Sequence, residues 1–212
     1  MIQYIAEARA NLSSYDIESL ARYRYKVFVE HLGWPLPLAS HETKMEWDAF
    51  DNDDTLYIIA RDSGGRICGC ARLLPTTKPH LLSDVFPKLV VRAPRSDPGV
   101  WELSRFATCA IVDGRAQPGP ADSMGSLLAE VMRLCRKLDA RLLVGVAPYA
   151  MFRLYRRLGY NLRPDGIPQI VDGETVCAFS LSVTLGASID ACRELMHSGL
   201  LVSNKLDLVQ PL

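Results

Sequence analysis

Apolar residues recur at Ile17, Leu20, Ala21, Val27, Phe28 and Leu32, close to the 3.6-residue period of a helix with one buried stripe. Ser14 is placed to cap that helix, Gly33 to end it in a left-handed turn, and Pro35 and Pro37 to keep it from resuming. Residues 38–54 have no period and much acid, which predicts a loop or lid that orders around a partner. Two strand-like runs, Thr55–Ala60 and Ile67–Leu74, flank Ser63-Gly64-Gly65 and read as a hairpin. Pro75 and Pro79 precede a short apolar piece at Leu81–Leu89, and Val100–Thr108 reads as another strand. The Gly- and Pro-rich stretch Asp113–Pro120 predicts a loop. After it, Met124, Leu127, Leu128, Val131, Leu134, Cys135 and Leu138 form the stripe of an amphipathic helix, with Arg133, Arg136 and Lys137 off the stripe. Leu142–Ala147 is nearly all apolar, as a central strand should be; Tyr149–Leu158 is a helix stopped by Gly159, and Thr175–Val183 is a last strand. This order predicts an α/β fold, a single mixed twisted sheet with helices on both faces, spanning residues 1–183. Residues 184–212 read as a partly helical tail.

A chain of 212 residues can bury a full core without a disulfide or metal staple. The 24 Lys and Arg balance the 24 Asp and Glu, which excludes a uniformly basic nucleic-acid binder. No apolar stretch approaches the ~20 residues of a membrane span, and the first residues have no leader pattern, so the expected location is the cytoplasm, with no membrane partner. The six cysteines include one C-x-C pair but no C-x-x-C and no His at zinc spacing, which predicts reduced thiols and no metal.

Three local anomalies carry chemistry. Arg24 falls on the apolar stripe of the first helix, where a guanidinium needs carboxylate partners. The run 42–54 supplies them: Glu42, Glu46, Asp48, Asp51, Asp53 and Asp54 against Lys44 alone, with Asp48 and Asp51 the expected partners of Arg24. In the strand Trp101-Glu-Leu-Ser-Arg-Phe106, alternation sends Glu102, Ser104 and Phe106 to one face and Arg105 to the other. If Glu102 and Arg105 serve one site, a bulge must re-aim one of them.

Arg24-x-x-Val27-Phe28, Leu32-Gly33-Trp34, Asp48-x-x-Asp51, Cys70-Ala-Arg72-Leu-Leu-Pro-Thr76 and Glu102-Leu-Ser104-Arg105-Phe106, in that order, resemble the motif series of the LuxI-type acyl-homoserine lactone synthases, or autoinducer synthases. The likeness covers residues 1–183, with a few more residues than the shorter members between Trp34 and Asp48. It implies an acetyltransferase-like (GNAT-like) fold. It also implies transfer of an acyl chain from acyl carrier protein, or occasionally coenzyme A, to S-adenosylmethionine. The products would be an acyl-homoserine lactone, used as a quorum-sensing signal, and methylthioadenosine. S-adenosylmethionine would be a cosubstrate, and no cofactor is implied.

The residues suit that chemistry. Phe28 and Trp34 offer aromatic faces to a sulfonium or adenine, Asp48 and Asp51 attract cations, and Arg105 or Arg24 holds a carboxylate. Arg72, Ser104 and Phe106 join the S-adenosylmethionine set through the motif likeness. Glu102 is the first choice of base, directly or through one water, and Asp48 the second. Splayed strands near 103–108 and 144–147 are expected to supply the oxyanion donors. Met124, Ala147, Met151, Phe152 and Tyr155 are the expected acyl pocket. In the family a Thr at the place of Ala147 often accompanies 3-oxo chains, so an unsubstituted or 3-hydroxy chain is expected.

Residues 133–163 carry eight cations against Asp139 alone, and Arg133, Arg136, Lys137, Arg153, Arg156 and Arg157 are the expected dock for an acidic carrier protein. Two alternatives are an acetyl-coenzyme A-dependent N-acetyltransferase and a non-catalytic signal-binding protein. The first is disfavoured at Arg115-Ala-Gln-Pro-Gly-Pro-Ala121, where the prolines remove N–H donors from the expected pyrophosphate loop. The second has no use for the whole charged set.

Overall fold

A computed structural model describes residues 2–92, 96–120, 122–157 and 159–183. The strands are β1 (Gln3–Ala8), β2 (Leu56–Arg61), β3 (Ile67–Pro75), β4 (Val100–Ala107), β5 (Cys109–Val112), β6 (Arg115–Pro118), β7 (Leu142–Pro148), β8 (Leu162–Pro164), β9 (Gln169–Val171) and β10 (Glu174–Ser182). The helices are α1 (Ser14–Arg24), α2 (Leu81–Asp84), α3 (Ser123–Lys137) and α4 (Tyr149–Arg157). The main sheet runs β1-β2-β3-β4-β7-β10-β8, with β9 on β10, and only β4 and β7 are parallel. This is the mixed sheet with helices on both faces that the pattern predicts.

Alternation along β7 separates the two faces. Leu143 and Ala147 join α3 and α4 residues such as Leu128, Val131 and Phe152 in one core, while Val144 and Val146 pack with Leu82 and Leu89 on the other face. The α3 stripe is buried as expected at Leu127, Leu128, Val131, Leu134 and Cys135. A third cluster joins Leu20, Val27 and Phe28 of the first helical segment to Tyr57, Ile59 and Cys70 of the sheet.

The first helix is capped by Ser13, not Ser14: the Ser13 hydroxyl accepts the Asp16 N–H at 3.1 Å. Past Arg24 the helix widens into a π-helical turn, Tyr25–His31, before Gly33 ends it at φ 67°. Trp34 N–H then bonds the Phe28 carbonyl at 2.9 Å, which folds Trp34 back over the helix end. The stretch Asp113–Pro120 is not a plain loop. Arg115–Pro118 pairs with Cys109–Val112 as a hairpin turned by Asp113 and Gly114, both at positive φ. Strand β1 carries no period-2 signal that alternation alone would single out, and its edge pairing with β2 makes the strand. The predicted tail, 184–212, and Leu158 lie outside the described residues.

Two departures from regular pairing shape the site. Cys70 pairs with Ala107 but Arg72 with Ser104, so two steps along β3 face three along β4, and the bulge holds Arg105 at φ 48°. Strands β4 and β7 pair only from Val100 and Leu142 to Leu103 and Gly145, after which β4 stays with β3 and β7 with β10. At the parting point Gly145 is required, because a Cβ there would stand 2.6 Å from the Leu103 carbonyl oxygen.

Candidate active site

Arg24, Arg72 and Arg105 alternate with Glu46, Asp48 and Asp51 in a closed ring of ion pairs. Arg24 Nη1 lies 2.8 Å from Asp51, and its Nε bonds Glu46. Glu46 is also 2.9 Å from Arg105 Nη2, which is 2.9 Å from Asp48. Asp48 is 2.6 Å from Arg72 Nη1, and Arg72 closes the ring on Asp51 at 2.9 Å. Three cations balance three anions, so the ring itself carries no net charge.

The ring corrects the expected roles. Arg24 is fully buried and is held by Asp51 and Glu46 rather than by Asp48, so it fixes the lid and is not open to a substrate carboxylate. Asp51 is consumed likewise, by Arg24, Arg72 and the Tyr57 hydroxyl. Segment 46–51 is therefore held by this chain's own arginines. Burial alone would raise Asp51 and Glu46. The arginines instead hold both below their ordinary values, Arg24 and Arg72 acting on Asp51, Arg24 and Arg105 on Glu46.

Glu46 is one of the six acids that the run offers but not one of the two expected at Arg24, and Tyr57 is not anticipated. The signal for Glu46 was available: it stands between Met45 and Trp47, an apolar setting that predicts burial. Trp47 covers the ring, with the Arg24 guanidinium 4.9 Å and the Arg9 guanidinium 5.1 Å from its centroid.

The bulge does what a shared site demands. Arg105 turns onto Glu46 and Asp48 and lies 5.5 Å from the Phe28 ring and 5.9 Å from the Trp34 ring. Those two rings stack at 4.9 Å. Ser104 accepts from Arg72 Nε at 2.9 Å, which orients that guanidinium, and Arg72 Nη2 is buried without a hydrogen-bond partner among the described residues. Of the ring's carboxylates Asp48 is the most open, its side chain 16% exposed.

Glu102 is buried where β4 and β7 are still paired, one residue before they part. Its Oε2 accepts the Leu81 N–H at 2.6 Å and its Oε1 the Leu82 N–H at 2.9 Å, a clamp no sequence signal announced. Burial pushes its carboxyl up to about 7, against the opposing pull of those two N–H groups and Arg72. That is the range of a general base working near neutral pH.

The remaining predicted residues fall elsewhere. Phe106 packs 6.2 Å from Tyr155 on the α3 and α4 side of the sheet, not with Phe28 and Trp34. Ala147 and Phe152 are buried in the same core, with Met124 and Met151 half-buried. Arg133, Arg136, Lys137, Arg153, Arg156 and Arg157 are exposed, but Arg133 is paired with Glu130, an acid just outside the counted stretch. Among the described residues no cluster of His, Cys, Asp and Glu is arranged to hold a metal, and no helix is long and apolar enough to cross a membrane.

Known proteins of similar sequence and fold share one description. The family model for autoinducer synthases matches residues 9–188. An acyl-homoserine-lactone synthase of Ralstonia nicotianae is 45% identical over 163 residues, 76% of this chain and 78% of that one. The crystal structure of TofI in a ternary complex with an inhibitor and MTA superposes with a TM-score of 0.77 at 40% identity, covering 91% of this chain and 96% of that one. BjaI, described as a coenzyme A-dependent acyl-homoserine lactone synthase and solved with SAM and isopentyl-CoA, gives 0.77 at 28% identity, covering 93% and 89%. The closed ion-pair ring, the buried glutamate and the bulged arginine thus sit in a chain that belongs to the autoinducer synthase family, acyltransferases on a GNAT-like fold.

Proposed function

We propose that this protein transfers an acyl chain from acyl carrier protein to the α-amine of S-adenosylmethionine and closes the product to an acyl-homoserine lactone, releasing methylthioadenosine. The observation that carries the reading is the buried Glu102 at the parting of β4 and β7, on the same sheet face as Arg72 and the Arg105, Phe28 and Trp34 group. In this reading Trp34 faces the sulfonium or adenine with the buried Phe28 stacked against it, and Asp48 draws the ammonium. Arg105 Nη1, which takes no part in the ring's bonds, holds the carboxylate.

Glu102 takes the amine proton, directly or through one water. A free α-amine titrates near ~7.7–8.0, so a carboxylate of this basicity is a sufficient base. The amine attacks the thioester carbonyl, the C–N bond forms, and the thiol of the carrier leaves. Backbone N–H groups of β4 and β7 that face each other beyond Leu103 and Gly145 stabilise the oxyanion. The carboxylate then attacks the γ-carbon and displaces methylthioadenosine; holding it in line suffices, because a sulfonium is a good leaving group.

Support for a carrier-protein donor is twofold. The exposed cations of α3 and α4 suit an acidic partner. Before α3, the Gly119 N–H is spent on the Thr108 carbonyl at 2.9 Å and Pro118 and Pro120 have none, which leaves little to bind a coenzyme A pyrophosphate. Ala147, with no hydroxyl, favours an unsubstituted or 3-hydroxy chain over a 3-oxo chain. The test is a comparison of matched acyl thioesters on carrier protein and on coenzyme A, with S-adenosylmethionine saturating. A higher kcat/KM with the carrier protein supports the donor assignment, and a higher value with coenzyme A refutes it. A marked preference for 3-oxoacyl chains would refute the assignment of Ala147.

A further inference from the structure

Glu102 owes its orientation to a helix of a single turn. The first two peptide N–H groups of α2 point at its carboxylate, one to each oxygen. A four-residue helix cannot hold itself together, because the first turn costs more conformational freedom than its hydrogen bonds return. The residue before it, His80, is 3% exposed, and its Nδ1 lies 2.8 Å from the Lys78 carbonyl oxygen. A carbonyl only accepts, so Nδ1 carries the proton, and in the neutral ring Nε2 keeps the lone pair. Nε2 is buried and has no hydrogen-bond partner among the described residues, so the bond that the ring makes with its proton is the one at Nδ1. Ser83 closes the turn: its hydroxyl oxygen receives the His80 N–H at 3.3 Å and lies 3.2 Å from Nδ1, and its one proton is shared between the His80 carbonyl at 2.9 Å and the Asp84 carboxylate.

We propose that His80 is a positioning residue for acyl transfer: its Nδ1–H bond to the Lys78 carbonyl fixes the Leu81 and Leu82 peptides that aim and hold the Glu102 carboxylate. The proposal rests on Glu102 being the base. The charged groups acting on Glu102 are Arg72 from β3 and Asp48 from the lid; α2 offers it only the two peptides, and β7 sets Val144 in register beside it. His80 acts through α2, not by touching substrate.

The experiment is the pH profile of kcat/KM of the full chain, with S-adenosylmethionine and the acyl thioester it turns over best, in the parent, H80Q, H80N and E102Q. An asparagine amide presents its N–H where Nδ1 stands; a glutamine amide presents it where Nε2 stands. In H80Q, kcat/KM falls roughly tenfold and the acid limb moves to higher pH by about 0.5 to 1 unit, because two weakened N–H bonds no longer pull Glu102 down. H80N restores both. Equal loss in H80Q and H80N with an unmoved limb overturns the proposal, and so does a limb that vanishes in H80N, since His80 would then itself be the titrating group. Should H80Q fold poorly, S83A loosens the same turn and must move the limb in the same direction; an unmoved limb is again contrary. E102Q separates the two readings. An active E102Q with the parental limb removes the base beneath the proposal, whereas an inactive E102Q beside an unmoved limb in H80Q removes the proposal alone.

Discussion

Arg105 Nη2 stands 2.9 Å from Asp48, and Arg105 reaches it from a left-handed backbone, φ 48°, at the bulge of β4. In a regular strand Arg105 would point to the face opposite Glu102 and Ser104. The bulge therefore joins the lid to the strand that carries the base. R105K replaces a planar fork with a single ammonium, which cannot hold Glu46 and Asp48 and still meet a carboxylate. We expect kcat/KM for S-adenosylmethionine to fall about 10²-fold, mostly through KM. An unchanged KM would mean that Arg105 does not hold the substrate.

The ring predicts unequal costs for its members. Removing the charge of Glu46 leaves Arg24 and Arg105 both short of a buried partner, at a cost of about 3–5 kcal/mol. Asp48 is partly open to water, which screens the arginines it leaves behind, so D48N should cost clearly less stability while costing more activity. Denaturant unfolding of E46Q and D48N measures the difference, and equal costs would contradict the ring's closure.

Acid should weaken the ring in a defined window. Asp51 and Glu46 are held below their ordinary values, so their contribution is complete above about pH 4 and is lost progressively as pH falls below it. The gap in unfolding free energy between the parent and D51N should therefore close on acidification below about pH 4. Glu102 has the opposite sign: raised to about 7, its carboxyl favours the folded state while protonated, and that contribution is lost as pH rises from about 4 through 7. A parent-to-D51N gap that stays constant down to pH 2 would contradict the assignment.

Charge reversal at Arg153, Arg156 and Arg157 together should raise KM for acyl carrier protein about tenfold or more and leave KM for S-adenosylmethionine unchanged. The effect should shrink with added salt, because the three side chains are exposed. An unchanged KM for the carrier protein would place the dock elsewhere.

The pattern of apolar positions was enough to place α3, β7, α4 and the β2–β3 hairpin, because each has one buried face or is buried on both. It did not reveal the β5–β6 hairpin, whose Gly and Pro content reads as loop until the pairing is seen. The need for a bulge near Arg105 was legible from alternation alone, since Glu102 and Arg105 otherwise face apart. Which carboxylate meets which arginine was legible only in part: of the two acids expected at Arg24, Asp51 is there, but Glu46 stands where Asp48 is expected. Spacing along a loop says nothing of its path, so it does not tell which arginine each of the acids at 46, 48 and 51 will meet. The grip of α2 on Glu102 was equally hidden, because backbone N–H groups carry no residue signature.

The most direct test of the account counts products against one another. The purified protein is incubated with S-adenosylmethionine and an acyl carrier protein thioester, and lactone, methylthioadenosine and free carrier thiol are each quantified. Equal amounts of all three are expected, and none of the three when Glu102 is replaced by Gln. Thiol release from acetyl-coenzyme A with another amine, and no lactone from S-adenosylmethionine with any acyl thioester, would contradict that expectation.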